Sequence, residues 1–471
     1  MSFTRGHEKL AEFDLLRFPN VLFFAFIYVV SRIPLLNLGF GLDADAWRIA
    51  NTAFDIRHHL VYHASRFPGY PVPEFINALV IDFGWLATNS LTALVSTISI
   101  IVFARILRTL RYRYQGFVLI TYAFMPIIWI NSTNTMDYMW SLLFIVLAWF
   151  FVLRNKWIVA GLMIGLAAGS RAQSLIFIIP FLFLILSKAR NIMAAVTFLC
   201  CVVATTILIY SPLFLTYGWG FIQRYPTQTS LIQTGYQAIK LFGLPGITAS
   251  LVLLISSLSN LRRMLVERNE NDIFIMLSLV VSLILFAFVP YHLEYLIPAI
   301  PFVLLILCRL ERKTLLVVSS LLLLAHSFVA IGSFKHTDGG EIRAQIVDHG
   351  AIVKNMMARQ NQIDYTYALM STEIDNRSIV IVGPWLPILA YQDKNLSSTQ
   401  QSKMMYDCNV PTEGVQNFQR NILYRYLLDQ AGLRQFLEQG YSIYYITGIR
   451  EYTKTVYGYD LADYPARYLP I

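Results

Sequence analysis

Apolar runs of roughly 15 to 25 residues recur over the first two-thirds of the chain, separated by short connections that hold most of its Lys and Arg. Eleven stand out, at about 19–38, 75–104, 116–131, 138–153, 157–169, 173–187, 192–215, 243–260, 273–290, 295–308 and 315–333. Runs of this kind predict membrane-spanning helices, and the shorter ones, 157–169 and 295–308, suit helices that stop around a cavity. From residue 334 the pattern changes. An amphipathic stretch covers Glu341–Arg359, and an apolar β-like run covers Ser378–Gly383, ending in Gly383-Pro384-Trp385. A helical stretch follows near Phe418–Gln439, then a second β-like run at Tyr441–Thr447. The predicted fold is an all-α polytopic membrane bundle of about 11 transmembrane helices over residues 1–333, with its first external loop at 39–74. Residues 334–471 are predicted to form a C-terminal extracytoplasmic α/β domain.

Composition agrees with a membrane protein: 56% of residues are hydrophobic and only 14% charged, with a mean hydropathy of +0.54. Ser31-Arg32-Ile33-Pro34, at the end of the first run, lacks a small-residue cleavage site, so that run reads as a retained span. Basic residues cluster on one side of the predicted bundle: Arg5, Lys9 and Arg17, then Arg105, Arg108, Arg111 and Arg113, then Arg154 and Lys156. The same side takes Lys188 and Arg190, then Arg262, Arg263 and Arg268, and lastly Arg309, Arg312 and Lys313. The positive-inside rule puts these in the cytoplasm, and the loop Asp43–Pro73 and the tail outside. The net charge of +9 is mostly this bias, so no nucleic-acid partner is implied. Cys200 and Cys201 are adjacent in one apolar run, Cys308 ends another and Cys408 stands alone, a set that implies no disulfide framework.

The candidate chemistry begins in Gly41-Leu42-Asp43-Ala44-Asp45-Ala46-Trp47-Arg48, just beyond the first run. Charges near hydrocarbon are costly and tend to mark sites. Asp43 and Asp45 precede a helix-like stretch, Ala44–Leu60, so one role for them is capping and dipole compensation. The other is catalytic: a carboxylate here can take the proton of an attacking hydroxyl. Arg48, three residues after Asp45, is placed to pair with it. Arg66, in the turn-rich Ser65-Arg66-Phe67-Pro68-Gly69-Tyr70-Pro71, suits either snorkelling at the interface or binding of an anion. Asp137 heads the fourth run, as a helix cap or a cavity group. Arg171, in the tight connection Gly169-Ser170-Arg171-Ala172-Gln173, suits phosphate contact. His292 and Glu294, in Pro290-Tyr291-His292-Leu293-Glu294-Tyr295, open the tenth run. His58, His59 and His63 raise the question of a divalent metal ion, with His59 and His63 four apart.

These residues carry a resemblance. The chain is similar to the GT-C superfamily of membrane glycosyltransferases, in the branch of the protein O-mannosyltransferases and the lipid A aminoarabinose transferase. Asp45-Ala46-Trp47-Arg48-Ile49-Ala50 resembles that branch's Asp-Glu-x-Arg-Tyr-Ala loop motif, with Ala46 departing from its second acidic position. Asp43 is placed to supply the missing carboxylate, which leaves the base open between Asp43 and Asp45. Arg66 stands before a Pro-rich turn as in the family, and Arg171 resembles its basic residue after the fifth span. Tyr295-Leu296-Ile297-Pro298-Ala299-Ile300-Pro301 is similar to its Tyr-Leu-x-Pro-x-x-Pro signature. The resemblance implies a polyprenyl-phosphate-linked sugar donor entering from the membrane lipids. It also implies a lipid, glycan or protein acceptor, inversion at the anomeric carbon, and a place in the plasma (inner) membrane. The implied substrate-binding set is Arg48, Arg66, Asp137, Arg171, His292 and Glu294.

Two other classes share parts of this pattern. A polytopic lipid or saccharide transporter would show ionisable groups inside spans and halves that echo each other. An O-antigen ligase or polymerase would favour a very large external loop between late spans, whereas here the charge-rich loop follows span one.

Overall fold

A computed structural model of the protein describes residues 14–112, 114–222, 231–267, 269–288, 292–308, 313–336, 342–392, 414–417 and 421–470. Arg5, Lys9, Arg113, Arg224, Arg268, Pro290, Tyr291, Arg309, Arg312 and Cys408 lie outside the described residues.

The chain is a helical membrane protein with a small C-terminal sheet region. Helix α1 (Phe18–Leu36) leads to α2 (Ala44–His59), inside the predicted loop, to α3 (Pro71–Ala78), which begins in it, and then to α4 (Gly84–Leu110). The second run, expected to begin at 75, is thus divided between α3 and α4, because the 3-10 turn at Ile81–Phe83 interrupts it. Then follow α5 (Gln115–Phe124), α6 (Pro126–Asn131), α7 (Tyr138–Leu153), α8 (Trp157–Ser170), α9 (Ile178–Ala189) and α10 (Ile192–Tyr217). The bundle ends with α11 (Leu231–Phe242), α12 (Leu244–Glu267), α13 (Glu270–Phe288), α14 (Ile300–Cys308) and α15 (Lys313–Ala325).

Among the described residues, five helices are long and apolar enough to cross a membrane, or six if the pair bent by 101° at Gly243 forms one span. All eleven apolar runs contain helix, but several helices are short. The 16 residues of α7 reach roughly 24 Å at 1.5 Å per residue, less than a hydrocarbon core of about 30 Å. The last run, expected to stay helical to 333, ends at Ala325, and the chain enters strand β1 (Val329–His336) before the expected domain boundary. Val329 and Ile331 are β-branched and favour a strand once the helix stops.

Three glycines one turn apart set the tightest helix pair. A Cβ at Gly161 would meet Phe198 O at 2.6 Å, one at Gly165 would meet Thr205, and one at Gly169 would meet Ile209, the last two at 2.5 Å. Small residues at this spacing let α8 and α10 touch backbone to backbone, which fixes where α8 ends and Arg171 emerges.

β1 pairs antiparallel with β2 (Ile342–His349), so part of the expected amphipathic stretch is strand; the rest begins α16 (Ala351–Ser371). A five-stranded sheet follows, in the order β4-β5-β3-β6-β7. Its members are β3 (Ser378–Ile381), β4 (Gly414–Asn417), β5 (Ile422–Arg425), β6 (Ser442–Tyr445) and β7 (Ala466–Tyr468). The first pair is antiparallel and the others parallel. Helices α17 (Leu386–Gln392), α18 (Gln430–Glu438) and α19 (Ile449–Tyr457) complete the domain. The β-like runs at 378–383 and 441–447 are β3 and β6, whereas the helical stretch near 418–439 is helical only from Gln430. A buried parallel strand such as β3, with all four residues covered, accounts for the continuous apolar run.

The sheet domain docks on the first loop. Arg359 on α16 is buried and donates from Nε to Leu38 O (2.8 Å) and from Nη2 to Gly39 O (2.8 Å). One turn on, Gln362 Nε2 donates to Leu42 O (3.0 Å). Tyr391 of α17 packs edge-on against Phe40 and Trp47, and Asn51 Nδ2 donates to Pro387 O (2.9 Å).

Candidate active site

Helix α2 buries Ala46, Trp47, Ile49, Ala50 and Ala53, a helical-period face, and so turns Asp45 and Arg48 toward the opposite side. Trp47 is fully buried and donates from Nε1 to Gly41 O (2.9 Å), which pins the preceding turn. Asp43 is the N-cap of α2 and accepts from Asp45 N (3.0 Å), so the capping role read from the sequence is real. That bond uses one carboxylate oxygen only.

The sequence-predicted residues converge. Asp45 pairs with Arg48 through Oδ1, and its Oδ2 lies 3.1 Å from Arg66 Nε. Arg66 Nη2 reaches Asp137 Oδ1 at 2.6 Å, and Arg171 Nη1 pairs with Asp137 Oδ2. Arg48, Asp45, Arg66, Asp137 and Arg171 thus form one line of alternating charge drawn from four separate segments. Asp137 is fully buried, and its side chain makes no cap bond to α7; ion pairing is its role. Arg66 is largely buried and ion-paired, so it does not snorkel. Tyr70 lies 3.9 Å from the Arg66 guanidinium, and Tyr138 and Tyr295 lie 4.2 and 4.5 Å from that of Arg171. Arg66 Nη1 is buried and makes no hydrogen bond among the described residues, a charged donor still to be satisfied.

The two loop aspartates differ in electrostatics. Asp43 is exposed by surface area, yet the protein packed around it desolvates its carboxyl. Desolvation, then the like charge of Asp45, pushes it up to about 6. At Asp45 burial also favours the neutral form, but Arg66 and Arg48 outweigh it and hold the carboxyl below its ordinary value. His292 and Glu294 complete the mouth, with His292 Nδ1 4.0 Å from Glu294 Oε2. Burial lowers the His292 imidazole and raises the Glu294 carboxyl, favouring the neutral form of each, and Glu294 is within electrostatic reach of Asp43 and Arg171.

Two cavities lie beside this network. One, of about 320 Å³, is lined in part by Leu42, the neighbour of Asp43, and carries the polar side chains of Lys240, His292, Glu294, Lys354 and Asn355 among apolar ones. The other, of about 340 Å³, is apolar, between α12, α13 and α14. Leu293 lines both. Lys240 makes no ion pair among the described residues, and the sequence analysis does not single it out. The signal for it was faint: one Lys ending an amphipathic helix before a glycine.

The histidines of α2 divide differently. His58 Nε2 lies 2.8 Å from Asp82 Oδ1, and His59 Nδ1 lies 3.1 Å from Asp55 Oδ1. Among the described residues, no three His, Cys, Asp or Glu side chains come together as a metal site. No family model, curated protein or solved structure matches the chain. Function is therefore read from the chemistry of the site itself.

Proposed function

We propose that this protein is a membrane glycosyltransferase that moves a sugar from a polyprenyl-phosphate donor to an extracytoplasmic acceptor with inversion, as its resemblance to the GT-C superfamily implies. The observation that carries the reading is the line of ion pairs from Arg48 through Asp45, Arg66 and Asp137 to Arg171, with Asp43 beside Asp45 and with two cavities close by that share Leu293 in their walls. An amphipathic donor needs such a pair of spaces: hydrocarbon in the apolar cavity, phosphate and sugar in the one that carries Lys240, His292, Glu294 and Lys354.

In this mechanism Asp43 is the general base. Its carboxyl is pushed up to about 6, so that at neutral pH it is ionised yet takes a proton more readily than an ordinary aspartate, whereas Asp45 is held as an anion by two guanidinium groups. The acceptor oxygen attacks the anomeric carbon from the face opposite the phosphate, and its proton passes to Asp43. The bond from the anomeric carbon to the phosphate oxygen breaks, and that oxygen leaves with the electron pair as a lipid phosphate. The leaving anion needs positive charge rather than a general acid. Arg66, through its unsatisfied Nη1, and Lys240 are the cations with capacity to offer. Asp45 and Asp137 orient Arg66, and Asp137 orients Arg171. The basic clusters support a cytoplasmic N-terminus, with this site outside.

Mass spectrometry of glycolipids, glycans and glycoproteins from a deletion strain tests the reading. Loss of one sugar substituent, with accumulation of a polyprenyl-phosphate sugar, is expected, and an Asp43→Asn copy should not restore it. An unchanged glycan and lipid profile would overturn the reading.

A further inference from the structure

Glu74 is a fully buried carboxylate that the mechanism above does not use. It sits in the first turn of α3, and four donors converge on it. Ser65 N (2.9 Å) and Ser65 Oγ donate to Oε1, while Tyr62 OH (2.6 Å) and Tyr70 N (3.3 Å) donate to Oε2. The bond to Tyr70 N returns to the N-cap residue of its own helix, as a capping-box acid does. The bond to Ser65 N reaches across the loop.

Between those two anchored amides lies Arg66. Its own carbonyl accepts from Gly69 N (2.8 Å), closing a turn, and Gly69 is packed against Leu213 so closely that a Cβ there would come within 2.5 Å of it. The backbone on either side of Arg66 is therefore fastened to one carboxylate, and its turn is pressed on α10. Tyr70, whose amide Glu74 also holds, lies against the Arg66 guanidinium. Arg66 in turn reaches Asp45 and Asp137 and keeps its Nη1 unsatisfied. A guanidinium positioned this way can direct that last donor at an anion without reorganising, which is where binding strength is gained.

We propose that Glu74 is a positioning residue: by holding the amides of Ser65 and Tyr70 it aims Arg66 at the phosphate of a phosphorylated lipid. The inference rests on the function proposed above. Glu74 itself touches neither ligand nor Arg66. A carboxylate is required because only an anionic acceptor group takes four donors without presenting a proton of its own. Glutamine would turn an NH₂ toward the donors on one side.

The test is a double-mutant cycle on binding of farnesyl phosphate to the full-length protein in detergent, with farnesol and inorganic phosphate as controls. Glu74→Gln should weaken farnesyl phosphate binding about 10-fold, the effect of roughly one charge-assisted hydrogen bond. Arg66→Ala should weaken it at least as much, and Glu74→Gln should add nothing to Arg66→Ala. Tyr62→Phe, which leaves Glu74 three donors, should lose a few-fold in affinity, again only when Arg66 is present, and covers the case in which Glu74→Gln does not fold. Farnesol binding should be unaffected throughout. Loss of inorganic phosphate binding in parallel with farnesyl phosphate would assign the site to free phosphate and contradict the lipid. Equal factors for Glu74→Gln and Tyr62→Phe with or without Arg66, or no factor at all, would overturn the positioning role while leaving Arg66 in the site. Unchanged binding in Arg66→Ala would remove the anion site itself, and this proposal with it.

Discussion

Arg66 Nη2 lies 2.6 Å from Asp137 Oδ1, although 71 residues separate them. This contact joins the first loop to the head of α7, and through the other oxygen of Asp137 to Arg171. One buried carboxylate therefore holds two guanidinium groups in place. Its removal would take from Arg171 its buried ion partner and leave Arg66 with Asp45 alone.

Asp137→Ala and Asp137→Asn should both destabilise strongly, by about 3–5 kcal/mol, the usual effect of breaking a buried ion pair. A helix cap predicts otherwise, since Asn caps as well as Asp. The apparent Tm of the purified protein in detergent distinguishes them: a normal midpoint for Asp137→Asn would contradict the ion-pair role.

The pH profile of transfer should carry an acidic limb. Asp43 is pushed up to about 6, so below that pH it is protonated and cannot act as a base, and above it the carboxylate is available. Turnover should therefore rise with pH through about 6 and level off, the limb belonging to the coupled Asp43–Asp45 pair. A wild-type profile flat from about pH 5 to 8 would contradict Asp43 as the base.

Arg359→Ala should loosen the sheet domain from the first loop. It removes two bonds to Leu38 O and Gly39 O from a buried charged donor, and should cost roughly 2–3 kcal/mol. Gln362→Ala removes one neutral bond and should cost about 1 kcal/mol. Limited proteolysis should release the C-terminal domain faster from the first variant than from the second. Equal resistance in both and in wild type would mean that the docking does not depend on these bonds.

The positive-inside bias predicts that residue 373, exposed after α16, is reached by a membrane-impermeant thiol reagent from outside intact cells. In a chain without its native cysteines, Glu373→Cys should label directly and Lys156→Cys only after permeabilisation. The reverse pattern would invert the topology.

Much of the site was legible because charge is scarce in an apolar chain. Asp43, Asp45, Arg48, Arg66, Asp137 and Arg171 stand out in sequence at connections between apolar runs, and the fold brings them to one mouth. Glu74 was hidden because it falls at the edge of an apolar run and its partners, backbone amides and hydroxyls, leave no pattern of charge. Arg359 was hidden for a like reason: it binds carbonyls of residues 38 and 39, and nothing local to α16 announces that pairing. The β1–β2 hairpin was missed because Val329–Ile331 continues the apolarity of the preceding helix, and hydropathy cannot tell a span from a strand that follows it. Span number was the least legible feature, since runs such as 157–169 are apolar enough to be membrane helices yet short.

The central claim is that Asp43 takes the proton while Asp45 organises the arginines. It is tested most directly by the turnover of Asp43→Asn and Asp45→Asn in a transfer assay with a polyprenyl-phosphate sugar and the acceptor found in the deletion strain. Asp43→Asn keeps the cap on α2 but cannot accept a proton, so turnover should fall by roughly 10²- to 10⁴-fold with little change in Tm. Asp45→Asn loses ion pairing to Arg48 and Arg66, so donor affinity should suffer more than the acidic limb of the pH profile. Near-normal turnover by Asp43→Asn, with Asp45→Asn inactive, would move the base to Asp45; normal turnover by both would contradict the account.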